Sequence, residues 1–373
     1  MQPRIVVVGG ALAAVLTLSL HAQSRTPAPA GDVVGAGNFI HVVGDADKSQ
    51  LFYEMVIGLE AQQAGRGAAP GGAAAQPAPP PAPAGPPAPR RWTTDRADIL
   101  RLYNADGRQY RNGGAGVPEM PMRVETMEFN GDRAAVQPRF QDPGAATLIV
   151  TVRDLDAVMA RIRQNNVPVV TTGGAPVAIP ADKGTARGVV VKDPDGFYVL
   201  LVQNTPEAPS TAPATRNVIE VGFAFTVSDT DRMLKVFKGA LGFDANTEAF
   251  SNDRRCLDLF GVPRTAQYRM TMMTVPGSST EVNLVEFKGV DRKPTPQSTT
   301  RDPGSAVLRI RVKDANDSIR KLAAAGVKVT STGGEPVDVA GGNGGQRFAI
   351  TSAPDNLFIQ VVQTLPRPAA ANP

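Results

Sequence analysis

Few side chains in this 373-residue chain have the chemistry of a catalyst, and the scarcity itself restricts what the chain can do. It has two histidines and one cysteine. His21 lies just after an N-terminal apolar run, within the expected signal peptide, so the mature chain would hold His41 alone, and a metal site built on two imidazoles could not be assembled within it. Cys256, in RRCLDLF, reads as a small apolar-like thiol packed in a strand, and with one histidine present a Cys/His pair is a poor fit. There is no G-x-S-x-G, and the GAG at Gly35 to Gly37 precedes a strand where a dinucleotide loop would join strand to helix. What remains is Glu125 in VETMEF, a carboxylate able to act as a general base or to hold a ligand if it is desolvated. Arg309 and Arg311 in LRIRV add two guanidinium forks on one strand face, matched to carboxylate or phosphate oxygens. Each has a plainer role open to it: Glu125 paired with Arg123 or solvated, the arginines paired with Glu281 or Glu286.

The elements that must position these residues are repeated. QDPGAATLIVTVRDLDAVMARIRQNNVPVVTTGGAPV from Gln141 returns as RDPGSAVLRIRVKDANDSIRKLAAAGVKVTSTGGEPV from Arg301, without gaps and at a spacing of 160 residues. Upstream, the segment around Asp45 matches that around Asp229 at a spacing of 184, whereas MEFNG ending at Gly131 matches VEFKG ending at Gly289 at 158. The first copy therefore carries some two dozen extra residues, which coincide with the Pro/Ala-rich stretch at 65–91. That stretch has little to bury and is expected to be a disordered or polyproline loop; a proline-rich ligand is the other reading. Within a unit, LIVTV predicts a strand, Asp154 a helix cap, and Leu155, Val158, Met159 and Ile162 one helical face. Asn165 and Asn166 end that helix, and GVVVKDPDGFYVLLVQ predicts two strands about an Asp-Pro-Asp-Gly turn. One such sheet is too small to close a core alone, so two units must pair.

Taken together, the strand before DADKSQLFYEMVIGLE, then VETMEFNG, TVRDLDAVMARIRQNNVPVVT and KDPDGFYVLLVQ, resemble the vicinal-oxygen-chelate superfamily of glyoxalases, bleomycin-resistance proteins and extradiol dioxygenases, over 38–204 and 217–364. The resemblance implies an α+β fold: four βαβββ modules in two pairs, each pair a curved mixed-sheet cup with helices outside. It implies no single activity, because that fold hosts lyases, dioxygenases, epimerases and plain binders. In metal-using relatives four ligands line the cup, one on the first strand of each paired module, seven residues before the helix-opening Asp, and one on each closing strand. Counted in chain order, the first cup offers Asn38, Glu125, Thr147 and Leu200, and the second Gly222, Asn283, Val307 and Gln360. Only Glu125 is an ordinary ligand, so no metal and no cofactor is expected. Thr151, Thr226 and Tyr198 add hydroxyls to the cup faces, Arg309 and Arg311 point with Val307, and His41, three residues from Asn38, points to the helices; a functional imidazole is the other reading.

The functional expectation is a metal-independent small-molecule binder whose chemistry, if any, depends on Glu125, with Asn38, Thr147, Thr151, Tyr198, Asn283, Arg309, Arg311 and Gln360 as ligand contacts. The alternative is a metal-dependent lyase or dioxygenase that brings His41 to Glu125. Arg4, the apolar run Ile5 to Leu20 and Ala22 predict a signal peptide over 1–23 and a periplasmic or secreted protein, an uncleaved anchor being the competing reading. Linkers are expected at 24–37 and 205–216 and a tail at 365–373. The 39 basic and 35 acidic residues show no like-charge run, so neither nucleic acid nor an acidic membrane is expected as a partner, and four modules per chain permit a monomer or homodimer.

Overall fold

Each of the four modules starts with the same device. A first strand runs into an aspartate whose side chain caps the following helix: Asp45 accepts from Asp47 N and Lys48 N, Asp154 from Ala157 N, Asp229 from Arg232 N, and Asp314 from Asn316 N and Asp317 N. Such a cap contributes about 1 kcal/mol and sets the point where the chain leaves the sheet. The computed structural model describes residues 31–61, 90–181, 183–207, 209–340 and 345–366. The expected signal peptide lies outside them, as does 65–89 of the insert; Arg90, at the end of that stretch, bonds Asp47 through its backbone N and its guanidinium.

The first module contains β1 (Val33–Val42), α1 (Ala46–Leu51) running on into a π-helical turn (Phe52–Ile57), β2 (Glu60–Ala61), α2 (Ala97–Leu102), β3 (Tyr110–Gly116) and β4 (Arg123–Phe129). The second contains β5 (Ala146–Val152), α3 (Leu155–Gln164), β6 (Val177–Ile179), β7 (Thr185–Lys192) and β8 (Tyr198–Thr205). The third contains β9 (Val218–Val227), α4 (Thr230–Leu234) with its own π-helical turn (Lys235–Ala240), β10 (Asp244–Thr247), α5 (Arg254–Leu259), β11 (Gln267–Thr274) and β12 (Glu281–Lys288). The fourth contains β13 (Ala306–Val312), α6 (Ala315–Ala324), β14 (Lys328–Val329), β15 (Val337–Val339), β16 (Gln346–Ser352) and β17 (Phe358–Thr364).

The modules make two curled mixed sheets, but not in chain order. One sheet runs β14-β16-β17-β13-β1-β4-β3-β2, with β15 beside β16, and so joins the first module to the fourth. The other runs β10-β11-β12-β9-β5-β8-β7-β6 and joins the second to the third. Both seams are antiparallel, β1 against β13 and β5 against β9. The chain-order ligand sets are thereby corrected: the outer cup, from the outer modules, holds Asn38, Glu125, Val307 and Gln360, and the inner cup Thr147, Leu200, Gly222 and Asn283. Repeat spacing shows which strands are alike and alternation shows which face is which, but neither says which first-strand edges meet. The segments after β4 and after β12 decide that by crossing from sheet to sheet, tied on the way by Val136 N to Pro303 O and Gly304 N to Val42 O.

The convex faces pack back to back through the largest apolar core, where Phe39 of β1 stacks on Phe223 of β9 with ring centroids 3.9 Å apart. Leu155, Val158, Met159 and Ile162 of α3 join that core, as their spacing predicts. Each concave face is part-filled by the short helix of one module: Leu100 and Leu102 of α2 in the outer cup, Cys256, Leu257 and Leu259 of α5 in the inner. Cys256 is thus on a helix and not in a strand, because Asp253 caps the segment at Arg255 N. Burial pushes its thiol up to about 12, which leaves it inert.

Candidate functional site in the outer cup

Four of the residues singled out in the sequence converge in the outer cup from opposite ends of the chain. Asn38 on β1 donates from Nδ2 to Glu125 Oε2 on β4 at 3.2 Å, and Arg309 on β13 brings a guanidinium nitrogen to the same oxygen at 3.1 Å. Arg309 Nε also donates to Oε1 of the fully buried Gln360 on β17. The guanidinium therefore lies between the side chains of two of the four positions at which metal-using relatives would supply ligands. The pair is half-sheltered, with side-chain exposures of 20% for Arg309 and 14% for Glu125. The anticipated partners differ: Glu125 pairs with Arg309 and not with Arg123, and Glu286 is held by Arg269 at 2.9 Å, so neither cup arginine is spent on it. Arg311 donates from Nε to Ala36 O at 2.9 Å and leaves the rest of its fork exposed.

The local fold explains how an arginine fits there. The β1–β13 register slips between Ala36 and Phe39, a bulge that re-aims the intervening residues. A Cβ on Gly37 would stand 2.6 Å from Arg309 Cγ, and one on Gly35 3.5 Å from Arg311 Nε. The GAG that looks like a phosphate loop is the bed on which the two arginines lie. Sequence reasoning also missed Tyr103, which follows α2 and closes the cup floor. Its hydroxyl is buried with the N–H groups of Arg309 and Gln360 facing it, but neither it nor Gln360 Nε2 makes a hydrogen bond of good geometry. Burial, and then the charge of Glu125, hold the phenol well above its usual range, so it stays a donor.

The remaining predicted contacts lie in the inner cup, apart from this cluster. Thr147, Thr151 and Asn283 are buried on its face. Tyr198 packs on Phe140 and donates its hydroxyl to Pro138 O at 2.9 Å, and Thr226 donates to Phe140 O at 2.8 Å, so both hydroxyls are in structural use. A solvent-open crevice of about 400 Å³ lies in neither cup; Asp355, the one charged residue lining it, already bonds Ser228 and Thr295.

His41 points away from Glu125, as its distance from Asn38 predicts. It is fully buried, with Nδ1 3.2 Å from Asp193 Oδ2, and Tyr53 donates to the same oxygen at 2.9 Å. Burial disfavours the imidazolium, but the charge and hydrogen bond of Asp193 outweigh it and raise the pKa. Because Asp193 directly follows β7 of the other sheet, this pair ties the sheets together. Among the described residues no group of three or more His, Cys, Asp or Glu side chains converges as a metal site would require, and no helix is long and apolar enough to cross a membrane.

Against known proteins, residues 37–201 and 221–342 match the model of the Glyoxalase/Bleomycin resistance protein/Dioxygenase superfamily. Glyoxalase I from Zea mays superposes with a TM-score of 0.53 at 16% identity, over 88% of this chain and 92% of that one. A putative dioxygenase from Bacillus subtilis superposes with a TM-score of 0.51 at 12% identity, over 91% of this chain and 87% of that one. At such identities the likeness is one of fold. No curated protein sequence matches.

Proposed function

Because the chain belongs to the Glyoxalase/Bleomycin resistance protein/Dioxygenase superfamily, whose frame serves many chemistries, we propose that its outer cup binds a small carboxylate-bearing molecule without a metal ion, Arg309 and Arg311 together supplying positive charge in excess of the one carboxylate, Glu125. The observation that carries this is the guanidinium bonded to both Glu125 and Gln360. A metal does not fit the donors present. Val307 has no donor atom, Asn38 and Gln360 offer neutral amides, and the one anion, Glu125, is neutralised by Arg309. The unpaired Gln360 Nε2, the Tyr103 hydroxyl and the Arg311 fork are all donors, so the ligand they suit carries oxygen acceptors. Any proton transfer would fall to Glu125. The metal-dependent lyase or dioxygenase reading needs His41 at Glu125, and His41 is turned to Asp193 on the other face of β1.

The test is metal analysis of the purified protein beside a thermal-shift screen of small carboxylates. We expect no stoichiometric transition metal, and a stabilising carboxylate whose effect is lost in Arg309→Met. One tightly held metal per chain, released by Glu125→Ala, would overturn the proposal. We further propose export, supported by the Arg4 to Ala22 pattern; recovery of the full-length chain in the cytoplasmic fraction would contradict it.

A further inference from the structure

The inner cup carries a feature unrelated to the outer cluster. Glu220 on β9 and Glu281 on β12 occupy the same concave face of adjacent strands, since Ala224 and Val285, at the same parity, lie in that cup's apolar cluster. Both are partly buried, yet among the described residues neither carboxylate has a hydrogen-bond or ion-pair partner. Between them is Gly222, where an added Cβ would rest in ordinary van der Waals contact with Glu281 O at 3.7 Å and Ile149 Cβ at 4.0 Å, so the glycine leaves room for one methyl-sized group there. Two residues along β12, Asn283 is 2% exposed and its Oδ1 has no partner. Asn283 shares the face of Glu281, so its amide oxygen is aimed at the same gap. A buried acceptor without a donor and two unpaired carboxylates are each costly in the free protein, and one donor-rich cation would relieve all three.

We propose that the inner cup is a second site, above Gly222, for a small organic ammonium ion, its N–H groups shared among Glu220, Glu281 and Asn283 Oδ1. A primary ammonium has three donors and no acceptor, which matches three converging acceptors. Ile149 of β5, opposite Gly222, and Met272 of β11, opposite Asn283, share this face and suit a short alkyl tail. A hard divalent cation would need six or more oxygens, and only two carboxylates face the gap. Burial pushes Glu281 up to about 7, and burial with the charge of Glu281 does the same to Glu220, as expected of anions awaiting a counter-charge.

The experiment is calorimetric titration of the full chain at pH 8 with n-butylammonium, with calcium and magnesium in separate runs. We expect millimolar butylammonium binding, weakened at least tenfold in Glu220→Gln/Glu281→Gln and abolished in Gly222→Val, which fills the gap while keeping both charges. Binding should survive Arg309→Met, which separates this site from the outer-cup proposal. Absence of binding, binding unchanged in either inner-cup variant, or tighter binding of calcium or magnesium than of butylammonium would overturn it.

Discussion

The two cups are built from equivalent strands, and position by position they hold opposite chemistry. Where the outer cup has Arg309, Arg311 and Gln360, the repeat puts Ile149, Thr151 and Leu200 in the inner; where it has Asn38 and Glu125, the inner has Gly222 and Asn283. Even the charges at the rim reverse, from Arg123 to Glu281. The inner floor is largely hydrocarbon, with Phe140 stacked on Phe260 at 4.7 Å, and it closes a sheet of the same form. A polar centre is therefore not what the fold requires. Both cups hold orphaned polar atoms, but only the outer one has an ion pair at its centre, where the inner has Ile149, Leu200 and Asn283, a pattern better suited to binding than to stability.

The sharpest way to break this comparison is to convert one cup into the other. Arg309→Ile alone strands a sheltered carboxylate and should cost on the order of 2–3 kcal/mol, less than the ~3–5 kcal/mol of a fully buried pair because both partners keep some water contact. Glu125→Asn/Arg309→Ile/Gln360→Leu, which installs the inner cup's residues, should recover most of that loss. Urea denaturation measures both. If the triple variant is as unstable as the single one, the cluster is part of the fold and the contrast drawn above fails.

A second, smaller effect concerns the inner rim. With Glu220 and Glu281 raised from 4.5 to about 7, the folded chain binds more protons than the unfolded chain between those values. Stability should then fall as pH rises from about 4.5 to about 7 and level off above, by roughly 1–3 kcal/mol for the pair after allowing for solvent contact. His41, whose raised pKa favours its charged form in the fold, also loses stability as pH rises through its folded value. The difference between wild type and Glu220→Gln/Glu281→Gln in melting temperature from pH 5 to 8 isolates the rim. A parallel offset at every pH would mean the carboxylates are not perturbed.

What could be read in advance followed from period and caps. Asp45, Asp154, Asp229 and Asp314 each open a helix, the alternation of β1 turned His41 from Asn38, and Glu125 was legible as the carboxylate of its cup. What could not be read depends on contacts far apart in the chain. Nothing within VVGAGNF or LRIRV says that β1 pairs with β13 and not with β5, so the meeting of Arg309 with Glu125 was hidden although both residues were noticed. Tyr103 follows the length-variable insert, and its counterpart after α5 is Phe260, which has no hydroxyl to mark the position as polar. Glu220 and Glu281 look like ordinary surface residues until the curl of the sheet removes their water.

Gly37 carries the finest test, because it asks whether the arginine was accommodated by design of the backbone. Its φ is not in the left-handed region, so an alanine there is free of backbone strain. The nearest obstacle is Arg309, whose Cγ, Cβ and Cδ lie 2.6, 3.0 and 3.0 Å from the added methyl. Gly37→Ala should therefore cost about 1–2 kcal/mol, as overpacking does, and weaken the proposed carboxylate binding by displacing the guanidinium. In an Arg309→Ala background the Cγ and Cδ contacts are gone and only the Cβ contact at 3.0 Å remains, so the same substitution should cost markedly less, helped by the restriction that alanine places on the unfolded chain. A double-mutant cycle measured by urea denaturation would read a coupling of about 1 kcal/mol or more. Additive effects would mean that the glycine serves the bulge for its own sake, and that the outer cup acquired its cation without remaking the strand beneath it.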